Sequence, residues 1–253
     1  MDTIVKKIES TLTYNDVDFE KIIHEMGQVS AVEKRFKGYE FTLNDHLRGL
    51  ILSLLSNQRP WKQIADNLDD LEKIFLNYDS DKLKNANPEV LANQIKGIKC
   101  GNISIKRQME TLPYNISILE KISEKYGSID NFITSKPVEE IAECLSGEKS
   151  HYKLKQLGMA LAMEYLKNVG LSGMKPDTHI LRICGPERLN IIPETNSKEQ
   201  LLVFERFSLD AGVSTTYLDN LIWIFGANEY GEICSSTPKC HKCELTEICN
   251  YRN

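Results

Sequence analysis

The sequence predicts an all-α protein, and three observations carry that prediction. Apolar residues recur at three- and four-residue steps along most of the chain. In "HLRGLILSLLSNQ", for example, Leu47, Leu50, Ile51, Leu54 and Leu55 fall on one helix face. Cap signals sit where such stretches begin and end, as with Thr42 and Asp45, three apart, ahead of that helix. No stretch alternates apolar and polar residues between hairpin turns, so strands are expected to be few.

The same pattern predicts helices over "PVEEIAECLS", "LGMALAMEYLKNVG" and "TTYLDNLIWIFG", with Gly170 and Gly226 placed as left-handed caps ending the last two. Turn signals at "NANPE", "TLPYN", "TSKP", "MKPD" and "NIIPE" divide the chain into about ten short helices. There is no internal repeat, low-complexity segment or linker-like stretch to place a domain boundary.

The chain of 253 residues is long enough to bury a sizeable core, as one domain or two. No apolar run reaches the ~18–20 residues of a membrane helix. The start, "MDTIVKKIESTLTYND", has no apolar signal region, so a cytoplasmic protein is expected. The net charge of −5 argues against a broad nucleic-acid surface, and any DNA binding should be local.

Cys234, Cys240, Cys243 and Cys249 fall within sixteen residues, "CSSTPKCHKCELTEIC", while Cys100, Cys144 and Cys184 are scattered. Scattered cysteines are most simply small buried hydrophobes. In a reducing compartment the four clustered ones suit metal ligation better than disulfides. Four thiolates with a single C-x2-C pair fit an iron–sulfur cluster, a four-cysteine zinc site or, least simply, free thiols. Three unequal loops on one short segment favour the cluster.

This segment resembles the terminal [4Fe–4S] loop of endonuclease III, a helix-hairpin-helix DNA glycosylase, although its first gap is one residue shorter. "LIWIFGANEYGEIC" supplies the tryptophan-containing helix that precedes the loop in that family. "KPDTHILRI" resembles the catalytic loop and puts Asp177 at a helix start. Taken alone, Asp177 is most simply an ordinary helix N-cap. "LKQLGMALAMEYL" resembles the hairpin that aims helix amides at a DNA phosphate. Leu154, Leu157, Gly158 and Ala162 match it, while Gln156 stands where the first hairpin glycine is expected and Lys155 replaces a proline. "LLSNQRPW" resembles the segment whose glutamine fills the gap left by a flipped base, which assigns that task to Gln58 beside Arg59. "GNISIKR" resembles the Gly-x4-Lys loop that opens the next helix.

The resemblance implies two helical lobes with a DNA cleft between them. Residues 42–168 would form a six-helix barrel ending in the hairpin; 1–41 together with 169–253 would form the cluster lobe. It implies a monomeric base-excision glycosylase acting on double-stranded DNA that contains a damaged or mismatched base, with no membrane role. Asp177 would be catalytic. Gln58, Arg59, Lys155, Leu157, Gly158, Lys239 and Lys242 would contact DNA. Cys234, Cys240, Cys243 and Cys249 would hold a [4Fe–4S] cluster, with zinc as the alternative. The lysine that lyase members use is replaced by Ala160, with Met159 beside it, so a monofunctional enzyme is expected. Two other functions stay open: a bifunctional enzyme using Lys149, Lys153 or Lys155, and a non-catalytic DNA-binding protein of the same fold. A zinc protein whose resemblance is superficial is the third reading. His151 and Tyr152 are candidates for stacking on a base, with packing the simpler role.

Overall fold

The computed structural model describes residues 2–251. Residues 1, 252 and 253, at the ends of the predicted 1–41 and 169–253 ranges, lie outside the described residues. In chain order the helices are α1 (Asp2–Tyr14), α2 (Phe19–Met26), α3 (Gln28–Phe36), α4 (Leu43–Leu55), α5 (Trp61–Ala65), α6 (Leu68–Ile74), α7 (Ser80–Asn85), α8 (Pro88–Gly97), α9 (Ile105–Tyr126), α10 (Ile129–Ile133), α11 (Val138–Ser146), α12 (Met159–Asn168), α13 (Thr178–Cys184), α14 (Ser197–Asp210) and α15 (Thr215–Gly226). No strand occurs among the described residues. No helix among them is long and apolar enough to cross a membrane. The chain divides into two compact units, one of 33–171 and one of 1–32 with 172–253.

In the 33–171 unit, α4 is the central helix: nine of its thirteen residues are buried. Its predicted start is present as a reciprocal cap. Asp45 N–H donates to Thr42 Oγ1 at 3.3 Å, and Thr42 N–H donates to the Asp45 carboxylate at 2.8 Å. Leu47, Leu50, Ile51, Leu54 and Leu55 are all fully buried, each contributing about 1.5–3 kcal/mol by leaving water. α4 runs antiparallel to α12. A side chain at Gly49 would stand 3.0 Å from Val169, so glycine sets how closely the two helices approach. At the other end of this seam Ser53 Oγ donates to the Leu161 carbonyl at 2.5 Å.

A buried polar network braces the same unit. Arg35 grips the Asp130 carboxylate with both terminal nitrogens, at 3.0 and 2.7 Å, and the Val169 carbonyl at 2.6 Å. His46 lies between Asp130, at 3.3 Å from Nε2, and the Tyr165 hydroxyl, at 2.7 Å from Nδ1. Burial lowers the His46 pKa against the opposing pull of Asp130. Burial would raise the Asp130 carboxyl, but hydrogen bonds from His46 and Arg35 and the guanidinium charge hold it well below the usual range. A neutral His46 donating from Nε2 and accepting the tyrosine proton at Nδ1 satisfies every partner.

Three sequence expectations are corrected. Among the described residues there are fifteen α-helices rather than about ten, and "TLPYN" is no turn: Pro113 lies inside the 22-residue α9. A proline forfeits one backbone hydrogen bond. Leu112, Ile116, Leu119 and Ile122, all fully buried, hold α9 together on both sides of that defect. Gly170 does adopt the left-handed conformation, with φ of 80°. Gly226 does not; it is the last residue of α15. Glycine is needed there for space, since a Cβ would stand 2.6 Å from Ile183 Cδ1 and 3.2 Å from the Cys234 carbonyl.

Candidate functional site

In the unit of 1–32 with 172–253, Asp177 is the N-cap of α13. Its Oδ1 accepts the N–H groups of His179 at 2.8 Å and Ile180 at 3.1 Å. Among the described residues Oδ2 has no hydrogen-bond partner, and the side chain is half-buried. One oxygen is therefore fixed by the positive end of a helix while the other faces outward. Behind it, burial lowers the His179 imidazole, with Asp177 opposing. His179 Nδ1 lies 3.1 Å from Arg182 Nη2, and its ring packs edge-on against Trp223. That geometry suits electrostatic stabilisation of a positive charge and activation of a water molecule.

α13 also reaches the cysteine loop, because Gly226 lets the Cys234 backbone approach Ile183. Cys234, Cys240, Cys243 and Cys249 line one cavity together with Arg188, Ile233, Pro238, Thr246 and Tyr251. Among the described residues no three His, Cys, Asp or Glu side chains gather around a single ion-sized point. Burial pushes the Cys243 thiol up to about 11 and raises Cys234, which the Arg188 guanidinium opposes. Thiolates here thus require a compensating positive charge. Arg188, itself buried, supplies part of one: Nη1 donates to Cys234 Sγ at 2.8 Å and to its carbonyl at 3.0 Å. The donor set and its cavity fit a metal cluster bound through four cysteines.

The segment of 2–16, for which the sequence suggests no task, lies against this loop through Thr11 and Asn15. Thr11 Oγ1 accepts the Glu244 N–H at 3.2 Å, and Asn15 Nδ2 donates to the Lys242 carbonyl at 3.2 Å. Lys242 is exposed. Lys239 is not a free cation, since it pairs with Glu232 at 2.9 Å.

The 33–171 unit holds the remaining predicted residues. Gln58 follows α4 in a left-handed conformation, φ 53°, and is exposed. Arg59 spends its guanidinium on the Lys99 carbonyl. Asn102 Nδ2 ties the "GNISIKR" loop to α4, donating to the Leu54 carbonyl at 2.9 Å. Between these ties Ile103 projects 91% exposed, unusual for an isoleucine, and the sequence reading missed it. Lys96, Lys99, Lys106 and Arg107 are exposed around it, and among the described residues none is in an ion pair.

At this end of the unit α12 begins. Gly158 caps it without any side-chain hydrogen bond, and among the described residues the N–H groups of Gly158, Met159 and Ala160 have no acceptor. Leu154 and Leu157 are buried and seat the turn. Gln156 adopts φ of 63°, the left-handed backbone that the expected glycine would take freely. Asn115, buried in α9, clamps the turn from below: its Oδ1 accepts the Lys155 N–H at 2.7 Å and its Nδ2 donates to the Lys155 carbonyl at 3.0 Å. Lys155 Nζ lies 4.1 Å from the Tyr114 ring centre. Tyr152 packs edge-on against Tyr126 and Phe132, which fits a structural role, while His151 is exposed.

No family model and no curated protein sequence matches the chain. Among solved structures, its fold is similar to that of the 8-oxoguanine DNA glycosylase of Methanocaldococcus jannaschii. The two chains are 20% identical, with a TM-score of 0.54 over 88% of this chain and 93% of that one. The all-α architecture is thus similar to the fold of that enzyme.

Proposed function

We propose that the chain is a DNA N-glycosylase that hydrolyses the bond between a damaged or mismatched base and its sugar. The observation that carries this reading is the likeness of fold to the M. jannaschii enzyme over most of both chains. The unit of 33–171 grips the duplex. The open amides at Gly158, Met159 and Ala160 receive a phosphate, and Lys96, Lys99, Lys106 and Arg107 supply local charge on an acidic chain. Gln58 and the exposed Ile103 are assigned to the gap left by an extruded base, Ile103 as an apolar wedge.

Asp177 does the chemistry. As the base leaves with the electrons of the glycosidic bond, the carboxylate stabilises the positive charge on the sugar. It takes a proton from the water that adds to the sugar carbon and returns it to solvent, from which the departing base anion takes one up, giving an abasic site and the free base. Lyase chemistry has no nucleophile at Ala160. Of the lysines nearby, Lys153 is bound to Glu148 and the Ser146 carbonyl, and Lys155 rests on Tyr114. These ties support the monofunctional reading.

Cys234, Cys240, Cys243 and Cys249 are assigned to a [4Fe–4S] cluster. Four cysteines on three unequal loops of one short segment, lining one cavity, support this assignment over a lone zinc ion. The cluster would supply the charge and cross-links that fold the loop beside α13.

The test is a base-release screen on duplexes carrying single lesions. It starts from 8-oxoguanine, the base in the M. jannaschii enzyme's name, and continues through oxidised pyrimidines, uracil and thymine mismatches and alkylated purines. Release of one base, with no borohydride-trapped adduct, is expected. Release from none of them contradicts the activity, and a trapped adduct lost on substituting Lys149, Lys153 or Lys155 contradicts the monofunctional assignment.

A further inference from the structure

α15 buries an unusual number of polar side chains in its first two turns: Thr215, Thr216, Asp219 and Asn220 are all at or below 4% exposure. A buried carboxylate or hydroxyl persists only where it meets a partner worth its desolvation. Two of these side chains meet the backbone of the segment leading into Asp177. Thr216 Oγ1 accepts the Gly173 N–H at 3.1 Å, and Asp219 Oδ1 accepts the Lys175 N–H at 2.8 Å. Between those two points Met174 is buried, so the segment is pinned at three successive residues.

The pinning continues to the carboxylate without a break. The Lys175 carbonyl accepts the Asp177 N–H at 2.7 Å, closing a tight turn across Pro176. Asp177 Oδ1 then accepts two amides of α13, as described. One turn beyond Asp219, Trp223 packs against His179 on the far side of the cap. A single face of α15 therefore touches the approach to Asp177, through Thr216 and Asp219, and the exit from it, through Trp223.

We propose that Asp219 and Thr216 are positioning residues for the base-excision reaction, setting where the free oxygen of Asp177 points. This rests on the glycosylase reading above. A carboxylate that must meet both a sugar carbon and a water has little positional tolerance, and a displacement of about 1 Å costs on the order of a hundredfold in rate. α13 alone fixes Oδ1 but leaves the backbone before Asp177 free to shift. The two α15 acceptors remove that freedom. Both backbone contacts are made by an accepting oxygen, so a neutral oxygen in the same place should keep them.

The experiment compares Thr216→Val, Thr216→Ser, Asp219→Ala and Asp219→Asn. It measures single-turnover base release on the lesion found by the screen, duplex affinity, and amide hydrogen exchange over 173–177. Thr216→Val is nearly isosteric and keeps the test alive if Asp219→Ala fails to fold. Thr216→Val and Asp219→Ala should slow release ten- to a hundredfold, with duplex affinity within about twofold of wild type. Exchange over 173–177 should quicken in both. Thr216→Ser and Asp219→Asn keep an acceptor and should restore both rate and protection. Wild-type rates in Thr216→Val would overturn the proposal, as would Asp219→Asn as slow as Asp219→Ala. A wild-type protein that releases no base while 173–177 stays protected would overturn the glycosylase reading, and this role with it.

Discussion

The two units hold their important residues by opposite means. In the unit of 1–32 with 172–253, side chains are presented: Asp177 by the amides of α13, and four thiols around one cavity with Arg188 on the first of them. In the 33–171 unit the backbone is presented: an uncapped helix start, a left-handed turn at Gln156, and exposed loops held by Arg59 on the Lys99 carbonyl, Asn102 on the Leu54 carbonyl of α4 and Asn115 on the Lys155 backbone. Chemistry needs one well-aimed functional group, whereas holding a phosphate needs amides and charge in a fixed arc. A change in the first unit should alter the reaction and leave the grip; a change in the second should do the reverse.

The comparison can be broken at several points. The largest effect is expected in the cysteine unit. Cys243→Ala should destabilise it by about 4 kcal/mol or more, the scale of losing a structural metal. Absorbance near 400 nm should vanish, and hydrogen exchange should quicken across 172–251 and not across α4 and α12. Equal loosening of both would contradict separate support.

Replacing Lys96, Lys99, Lys106 and Arg107 together by alanine should come next. Duplex affinity should fall about a hundredfold near 0.15 M salt, and the slope of log affinity against log salt should flatten by about 3–4. The melting curve should hardly move, because these side chains are exposed and unpaired among the described residues. An unchanged salt slope would remove this patch from the interface.

Asn115→Ala leaves the Lys155 N–H and carbonyl without their buried partner and should cost about 2 kcal/mol. Affinity should drop while release from bound duplex stays near wild type. A loss of rate at saturating protein would place the hairpin in the chemistry instead.

The smallest effect concerns pH. His46 has a folded pKa below its unfolded value of about 6.5, so below that pH the unfolded chain binds a proton that the folded one refuses. Stability from this site is complete above about 6.5 and declines as pH falls, by at most about 1.4 kcal/mol per unit. Asp130 adds its own loss only below the ordinary carboxylate range of about 3.9. Thermal melts between pH 7 and 5 should show the decline, and His46→Gln should flatten it.

What could be foreseen from the sequence follows how local each signal is. Thr42 and Asp45 lie three residues apart, so the cap of α4 was readable before any fold was known. The ties that make the sites were not: Asn115 and Lys155 are separated by 40 residues, Lys175 and Asp219 by 44, and Arg188 and Cys234 by 46. Only packing brings them together, and an isolated Asn, Asp or Arg in a helical stretch says nothing of its partner. Two local signals also misled. Pro113 reads as a break but is held inside α9 by its apolar neighbours, and Gly226 reads as a cap but provides room for the cysteine loop. Gln156 is the opposite case: the residue type departs from the hairpin pattern while the backbone keeps the left-handed turn.

The central claim is that reaction and grip are separable, with the reaction resting on one carboxylate. Asp177→Asn keeps the α13 cap, since an amide oxygen can still accept the His179 and Ile180 N–H groups. Single-turnover base release and duplex affinity, measured side by side for this variant and the wild type, test the claim most directly. The account predicts a loss of release of at least about a thousandfold with affinity unchanged. Release at the wild-type rate, or a parallel loss of affinity, would contradict it.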